Sequence, residues 1–191
     1  GTAPPFDAGW PDHRAWHFEN GDAAATDAAF AEAAHVTRLS MEITRIQPAP
    51  MEPRVALGEY DTATGHYTLT APCQSPWKLR DILAEKVLHI EPGQLRVLSP
   101  DMGGGFGNRS APQPEQALVL WAAKRLGRPV KWLADRTETF LADDQARETQ
   151  IEAELALDAA GRFIGARARS LYGVGAYHGP ASFGPATGNS G

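Results

Sequence analysis

Apolar positions along this chain follow two rhythms. Trp77, Leu79, Ile82, Leu83 and Val87 recur at helical spacing, which stacks side chains on one face of an α-helix. Ser75 and Pro76 predict where that helix starts. Ser is a favoured N-cap, and Pro at the first helical position already has a helical φ and lacks an N–H that would go unpaired. A second helix is predicted over residues 114–126, stopping at Gly127. An Ala-rich run over 22–35, with Asp22 as cap, predicts a third. Two-residue alternation predicts strands at 36–46, 54–60 and 66–70, the last two joined by a turn at 61–65. A buried strand is expected at 94–98, another at 129–134, and a short helix at 135–141. Residues 149–157 and 163–172 alternate on either side of Asp158-Ala159-Ala160-Gly161, the clearest hairpin in the chain.

Between these elements lie segments that cannot be regular. Residues 47–53 hold three prolines, which break any strand ladder. Residues 1–21 are rich in Pro, Gly, Trp and His without period and read as an extended arm, with the folded body running from 22 to 191. From Gly173 onward the chain is Gly, Pro and Ser rich. No internal repeat or domain linker is visible.

Composition narrows the function classes. Of 191 residues, 42% are hydrophobic and 21% charged, ordinary values for a globular domain. The formal net charge is −5, from 18 basic and 23 acidic residues, which gives no basic footprint for nucleic acid. No apolar run approaches the roughly 18 residues of a membrane span, and residues 1–5 lack the basic and apolar regions of a signal peptide. Cys73 is the only cysteine, so an intrachain disulfide, a zinc ribbon and a protein-held iron–sulfur cluster are excluded. With no His or basic residue beside it, Cys73 reads as a buried or half-buried structural thiol. Of the six histidines only His13 and His17 are four apart, and they lie in the Pro/Gly-flanked arm; no protein-ligated metal site is expected. There is no Gly-x-Ser-x-Gly nucleophile elbow.

The 19 glycines and 15 prolines exceed the usual share of about 12%, and the densest run is Gly103-Gly104-Gly105-Phe106-Gly107 between a strand and a helix. Such a loop admits positive φ and close backbone approach, and its N–H groups can make a nest for phosphate or an oxo group. A plain flexible turn is the competing reading. The run fits neither the dinucleotide fingerprint nor the P-loop, since Asn108, Arg109 and Ser110 follow. Gln74, just before the Ser75 helix, has an amide able to donate or accept; taken alone it is a capping or surface residue. Arg147, after the short helix, reads on its own as a solvated ion-pairing residue.

Six motifs in order carry a family resemblance: Pro-Ala-Pro-Met-Glu-Pro-Arg (48–54), Gln-Ser-Pro-x-x-x-Arg (74–80), Pro-Asp-Met-Gly-Gly-Gly-Phe-Gly-Asn-Arg (100–109), Gly-Arg-Pro-Val-Lys-Trp-Leu-Ala-Asp-Arg-x-Glu (127–138), Ala-Arg (146–147) and Asp-x-x-Gly-Arg-Phe-Ile (158–164). The series resembles the molybdopterin-binding large subunit of the xanthine dehydrogenase, aldehyde oxidase and carbon monoxide dehydrogenase family, from about residue 19 onward. The resemblance implies an α+β fold, a mixed sheet with two main helices on one face and no Rossmann unit. It implies that Gln74 hydrogen-bonds an oxo ligand of molybdenum. Gly103, Gly104, Gly105, Phe106 and Gly107 would pack on the molybdopterin, expected in its cytosine dinucleotide form, and Arg147 would orient substrate. The implied parent activity is hydroxylation of an aldehyde or N-heterocycle using water, in the cytoplasm or as a folded holoenzyme in the periplasm. Expected partners are the remaining domains of the large subunit, iron–sulfur and FAD subunits or domains, and a small-molecule substrate.

Two departures shape the expectation. Purine-oxidising members carry a Glu where Ser110 stands, which disfavours purines. The family's catalytic Glu lies far beyond residue 191, so no catalytic residue is assigned in this chain. The chain is therefore expected to be a fragment, the first cofactor-binding domain, inactive alone, binding no cofactor and prone to self-association. A non-catalytic structural or anion-binding module of the same fold is the alternative.

Overall fold

The computed structural model describes residues 14–175. Most of the extended arm, His13, His178 and most of the Gly/Pro-rich tail lie outside the described residues; residues 14–21 have no regular structure. The chain forms two compact units. One is the central segment Gln47–Ala146, and the other is made by the segments on either side of it.

In the central unit a four-stranded sheet has the order β4-β3-β2-β5. Its strands are β2 (Val55–Asp61), β3 (His66–Thr70), β4 (Leu95–Leu98) and β5 (Val130–Leu133). β2 pairs antiparallel with both β3 and β5, while β3 and β4 run parallel, so the sheet is mixed. Ala56 and Gly58 on β2 and Tyr67 and Leu69 on β3 are buried, the period of two that turns one face to a core. Two helices cover that face. α2 (Pro76–Ile82) and its continuation contribute Leu79, Leu83 and Ala84; α3 (Pro114–Leu126) contributes Val119 and Leu120 to the same core. Each fully buried Leu is worth about 1.5–3 kcal/mol relative to exposure.

Helix α2 departs from the expected pattern. After Ile82 it continues as a π-helical stretch, Leu83–Leu88, closed by His89 at φ 52°. The wider turn rotates Val87 off the apolar face, where it is exposed. Trp77 is also exposed, because it lies two residues, about 200°, from Leu79 around an ideal helix. Ser75 occupies the N-cap position but its side chain makes no cap hydrogen bond. Asp135, before α4 (Arg136–Ala142), does cap, accepting from the Glu138 N–H.

The second unit is a sheet of order β1-β6-β7 with one helix. α1 (Ala23–Glu32) is capped by the Asp22 side chain and leads into β1 (His35–Ile46). β6 (Ala146–Leu157) and β7 (Phe163–Tyr172) form the expected hairpin. Asp158 Oδ1 accepts from the N–H groups of Ala160 and Arg162, and Gly161 takes φ 78°, closing its turn. α1 packs on β7, where Gly165 leaves room for Ala29 and Phe30, and the Arg167 guanidinium lies 4.2 Å from the Phe30 ring.

Helix α3 packs closely on the sheet at Gly58, where a β-carbon would fall 2.5 Å from the Val119 carbonyl carbon. Backbone cannot yield as a flexible side chain can. Gly58→Ala is expected to cost about 2–3 kcal/mol in urea unfolding. Gly93→Ala, with nothing within 4 Å, is expected to change stability by less than about 0.5 kcal/mol.

Candidate functional site

Proline removes backbone donors but leaves carbonyl acceptors. Segment 47–53 therefore offers acceptors with few donors of its own, and side chains from distant elements reach them. Asn108 Nδ2 donates to Pro48 O at 3.4 Å and Arg109 to Glu52 O at 3.1 Å. Arg136 donates to Pro50 O at 2.8 Å and to Met51 O at 2.6 Å.

The glycine loop is fastened to this crossing. The Glu52 N–H donates to Gly103 O at 3.1 Å, and the Gly103 N–H donates to the Glu52 carboxylate at 3.0 Å. Gly103 has to be glycine, because a β-carbon there would sit 2.5 Å from Glu52 Cβ. Gly104 and Gly107 adopt φ 109° and 95°. Phe106, with a β-carbon, also lies in the left-handed region at φ 49°, its ring largely exposed.

Gln74 ties the loop to the start of α2. Its backbone N–H donates to Arg109 O at 3.0 Å, and its Oε1 accepts from the Gly107 N–H at 2.9 Å. It braces the loop rather than capping α2. A β-carbon on Gly105 would lie 2.7 Å from that Oε1. With Oε1 turned to the Gly107 N–H, the Nε2 donors of Gln74 are left to meet a further group. The N–H groups of Gly104, Gly105 and Phe106 have no acceptor among the described residues. Loop and amide together gather hydrogen-bond donors, on residues that run from the buried Gly105 to the exposed Phe106 and Gln74.

Beneath the loop lies a buried charge cluster. Arg54, 4% exposed, makes a two-pronged pair with Glu115 at 2.7 and 2.7 Å. Asp143 stands 3.7 Å from both Arg54 Nε and Arg109 Nη1. Burial pulls the Arg109 guanidinium below its usual range, with Asp143 opposing the shift. Arg54 and Arg109 appear in the sequence motifs, but nothing local marked Glu115 or Asp143. Cys73, next to Gln74, is buried, and burial raises its thiol pKa.

Arg147 belongs to the other unit. It is exposed, second in strand β6, at φ 75°, followed by Glu148 at φ 52°. Left-handed conformations cost about 1–3 kcal/mol at each such residue. The ion pair expected of Arg147 falls on its neighbour: Glu148 pairs with Arg45, while Arg147 has no ion-pair partner among the described residues. No group of three His, Cys, Asp or Glu able to hold a metal occurs among the described residues. No described helix is long and apolar enough to cross a membrane.

The architecture is that of an α+β domain with a donor-rich glycine loop between a strand and a helix. The chain belongs to the molybdopterin cofactor-binding domain family, whose model matches residues 6–190. It is 37% identical over 154 residues to the nicotine 6-hydroxylase large subunit of Paenarthrobacter nicotinovorans, covering 81% of this chain and 19% of that protein. It is 34% identical to the carbon monoxide dehydrogenase large chain of Hydrogenophaga pseudoflava, covering 82% and 19%. Quinoline 2-oxidoreductase from Pseudomonas putida 86 superimposes with a TM-score of 0.73 at 37% identity, covering 78% of this chain and 19% of that one. The chain thus spans about a fifth of the length of these relatives.

Arg54→Ala would leave Glu115 and Asp143 buried against a single cation. It is expected to cost about 3–5 kcal/mol in chemical denaturation, and a loss under 1 kcal/mol would remove the cluster from the list of what holds the loop.

Proposed function

We propose that this chain is the first cofactor-binding domain of a molybdenum hydroxylase large subunit, with Gln74 and the loop 103–107 facing the molybdenum cofactor. The observation that carries this reading is the engaged Oε1 of Gln74. An amide whose oxygen is turned into the loop and whose Nε2 remains to donate matches an oxo group, which accepts. The N–H groups of Gly104, Gly105 and Phe106, without an acceptor among the described residues, suit the anionic and carbonyl oxygens of a pterin cofactor, and the missing β-carbons at Gly103 and Gly105 let Glu52 and Gln74 pack against the loop and hold it in shape. The group's ligands to metal would come from the pterin dithiolene, consistent with a donor set holding no His or Cys thiolate. When bound, the cofactor supplies the redox centre for hydroxylation with oxygen from water.

The chain's own residues then have separate tasks. Gln74 Nε2 holds an oxo acceptor in place. Gly103, Gly104, Gly105 and Gly107 shape the cradle. Phe106 offers an exposed ring to a flat substrate. Arg147 supplies a permanent positive charge to orient substrate, since a guanidinium stays protonated. No proton-transfer role is assigned to any carboxylate here.

Of the named relatives, two are named for nicotine and quinoline, both nitrogen heterocycles, and one for carbon monoxide; we infer a substrate of the heterocycle class or an aldehyde. Ser110 in place of Glu weighs against purines. The cytosine dinucleotide form of molybdopterin, iron–sulfur and FAD partners, and a cytoplasmic setting belong to the same proposal. So do an arm at 1–21 and a cofactor-binding body over 22–191.

In the full-length enzyme, Gln74→Ala is expected to lower kcat on the order of 10²-fold while leaving the unfolding midpoint unchanged. Unchanged turnover would take Gln74 away from the metal. The purified 191-residue chain is expected to show no oxidation of an aldehyde by an artificial electron acceptor, and steady turnover would overturn the assignment of this chain as an incomplete site.

A further inference from the structure

We propose that Arg45, Glu148 and Gly173 form a clamp that sets the backbone at Arg147, and so are positioning residues for its guanidinium. The proposal deepens the reading of Arg147 as a substrate-orienting cation, on which its functional meaning rests.

The evidence is a strained corner. Arg147 and Glu148 are consecutive non-glycine residues at φ 75° and 52°, where L side chains crowd the following carbonyl. Neither is Asn, Asp or Gly, the types that enter this region at low cost. Something must hold them there, and two contacts and one missing side chain do. The Glu148 carboxylate pairs with Arg45 at the end of β1. The Glu148 carbonyl accepts from the Gly173 N–H at 2.8 Å. Gly173 itself is open where a β-carbon would fall against the Glu148 carboxylate, 2.5 Å from Cδ. A side chain at 173 would push that carboxylate away from Arg45.

The corner decides where Arg147 points. In an extended strand, residues 147, 149 and 151 share one face. Thr149 and Ile151 are in regular register with Tyr172 and Ser170. Arg147 and Glu148, both left-handed, precede that register and break the alternation, so the direction of Arg147 is set by the corner rather than by the sheet.

The test uses NMR of the 191-residue chain. Backbone coupling constants and carbon shifts report the sign of φ at residues 147 and 148. The wild-type chain is expected to show the positive-φ signature at both. Glu148→Ala and Arg45→Ala are each expected to lose it at Arg147, and Gly173→Ala to do the same while the β6–β7 amides keep their exchange protection. Exchanging the charges, Arg45→Glu with Glu148→Arg, is expected to restore it, which a merely destabilised sheet would not do. A positive-φ signature at Arg147 that survives both Glu148→Ala and Arg45→Ala would overturn the clamp, as would its absence from the wild-type chain. Because backbone shape alone is read, the clamp fails or stands separately from whether Arg147 touches substrate, a question settled by KM in the full-length enzyme after Arg147→Ala.

Discussion

Prolines in segment 47–53 create a demand that organises the central unit. They leave a row of carbonyls that no strand can pair, and Asn108, Arg109 and Arg136 are drawn to those acceptors from two distant elements. The glycine loop is pulled against the crossing by the same need. Its reciprocal bonds between Glu52 and Gly103 require a residue without a side chain at 103. Segments that look irregular in isolation thereby become a fastened pair.

Of the arginines at the crossing, Arg109 is buried in bonding it, beside the buried Arg54 at the segment's end. Glu115 and Asp143 neutralise them from the starts and ends of other helices. Breaking one member leaves an uncompensated charge in a medium that solvates it poorly. The loop is held from below by electrostatics and from the side by backbone bonding. Little of its geometry depends on hydrophobic contact, in contrast to the helix–sheet core beside it.

Holding a glycine loop this firmly has a chemical consequence. A flexible turn would spend its N–H groups on water or on itself. Here Gln74 takes the Gly107 N–H with its oxygen, and donors are what remain at the surface. That polarity underlies the proposal that an oxo-bearing, partly anionic cofactor sits there. The corner at Arg147 and Glu148 applies the same logic in the other unit, with a costly backbone shape maintained by contacts that place one cation.

Much of this was legible in the sequence, because periodicity and the chemistry of Gly, Pro and caps act locally. The helix at Pro114–Leu126 and the strands His66–Thr70 and Phe163–Tyr172 have the boundaries that alternation and turn residues predict. The mixed sheet with two helices on one face follows the expected plan, and the ordered motifs identified the family. Contacts decided only in three dimensions were not legible. Arg54 meets Glu115 across 61 positions, and Arg45 meets Glu148 across 103; no local pattern encodes such pairs. The π-helical stretch after Ile82 and the positive φ of Phe106, Arg147 and Glu148 run against local preference, and only surrounding structure can impose them. The same is true of the division into two units, since the second sheet takes strands from both ends of the chain. Sequence alone determined where most elements form and which family the chain joins; the tertiary structure decided how the Gln74 amide is turned, which charges are buried, and where the backbone is strained, because each depends on groups brought together from far apart in the chain.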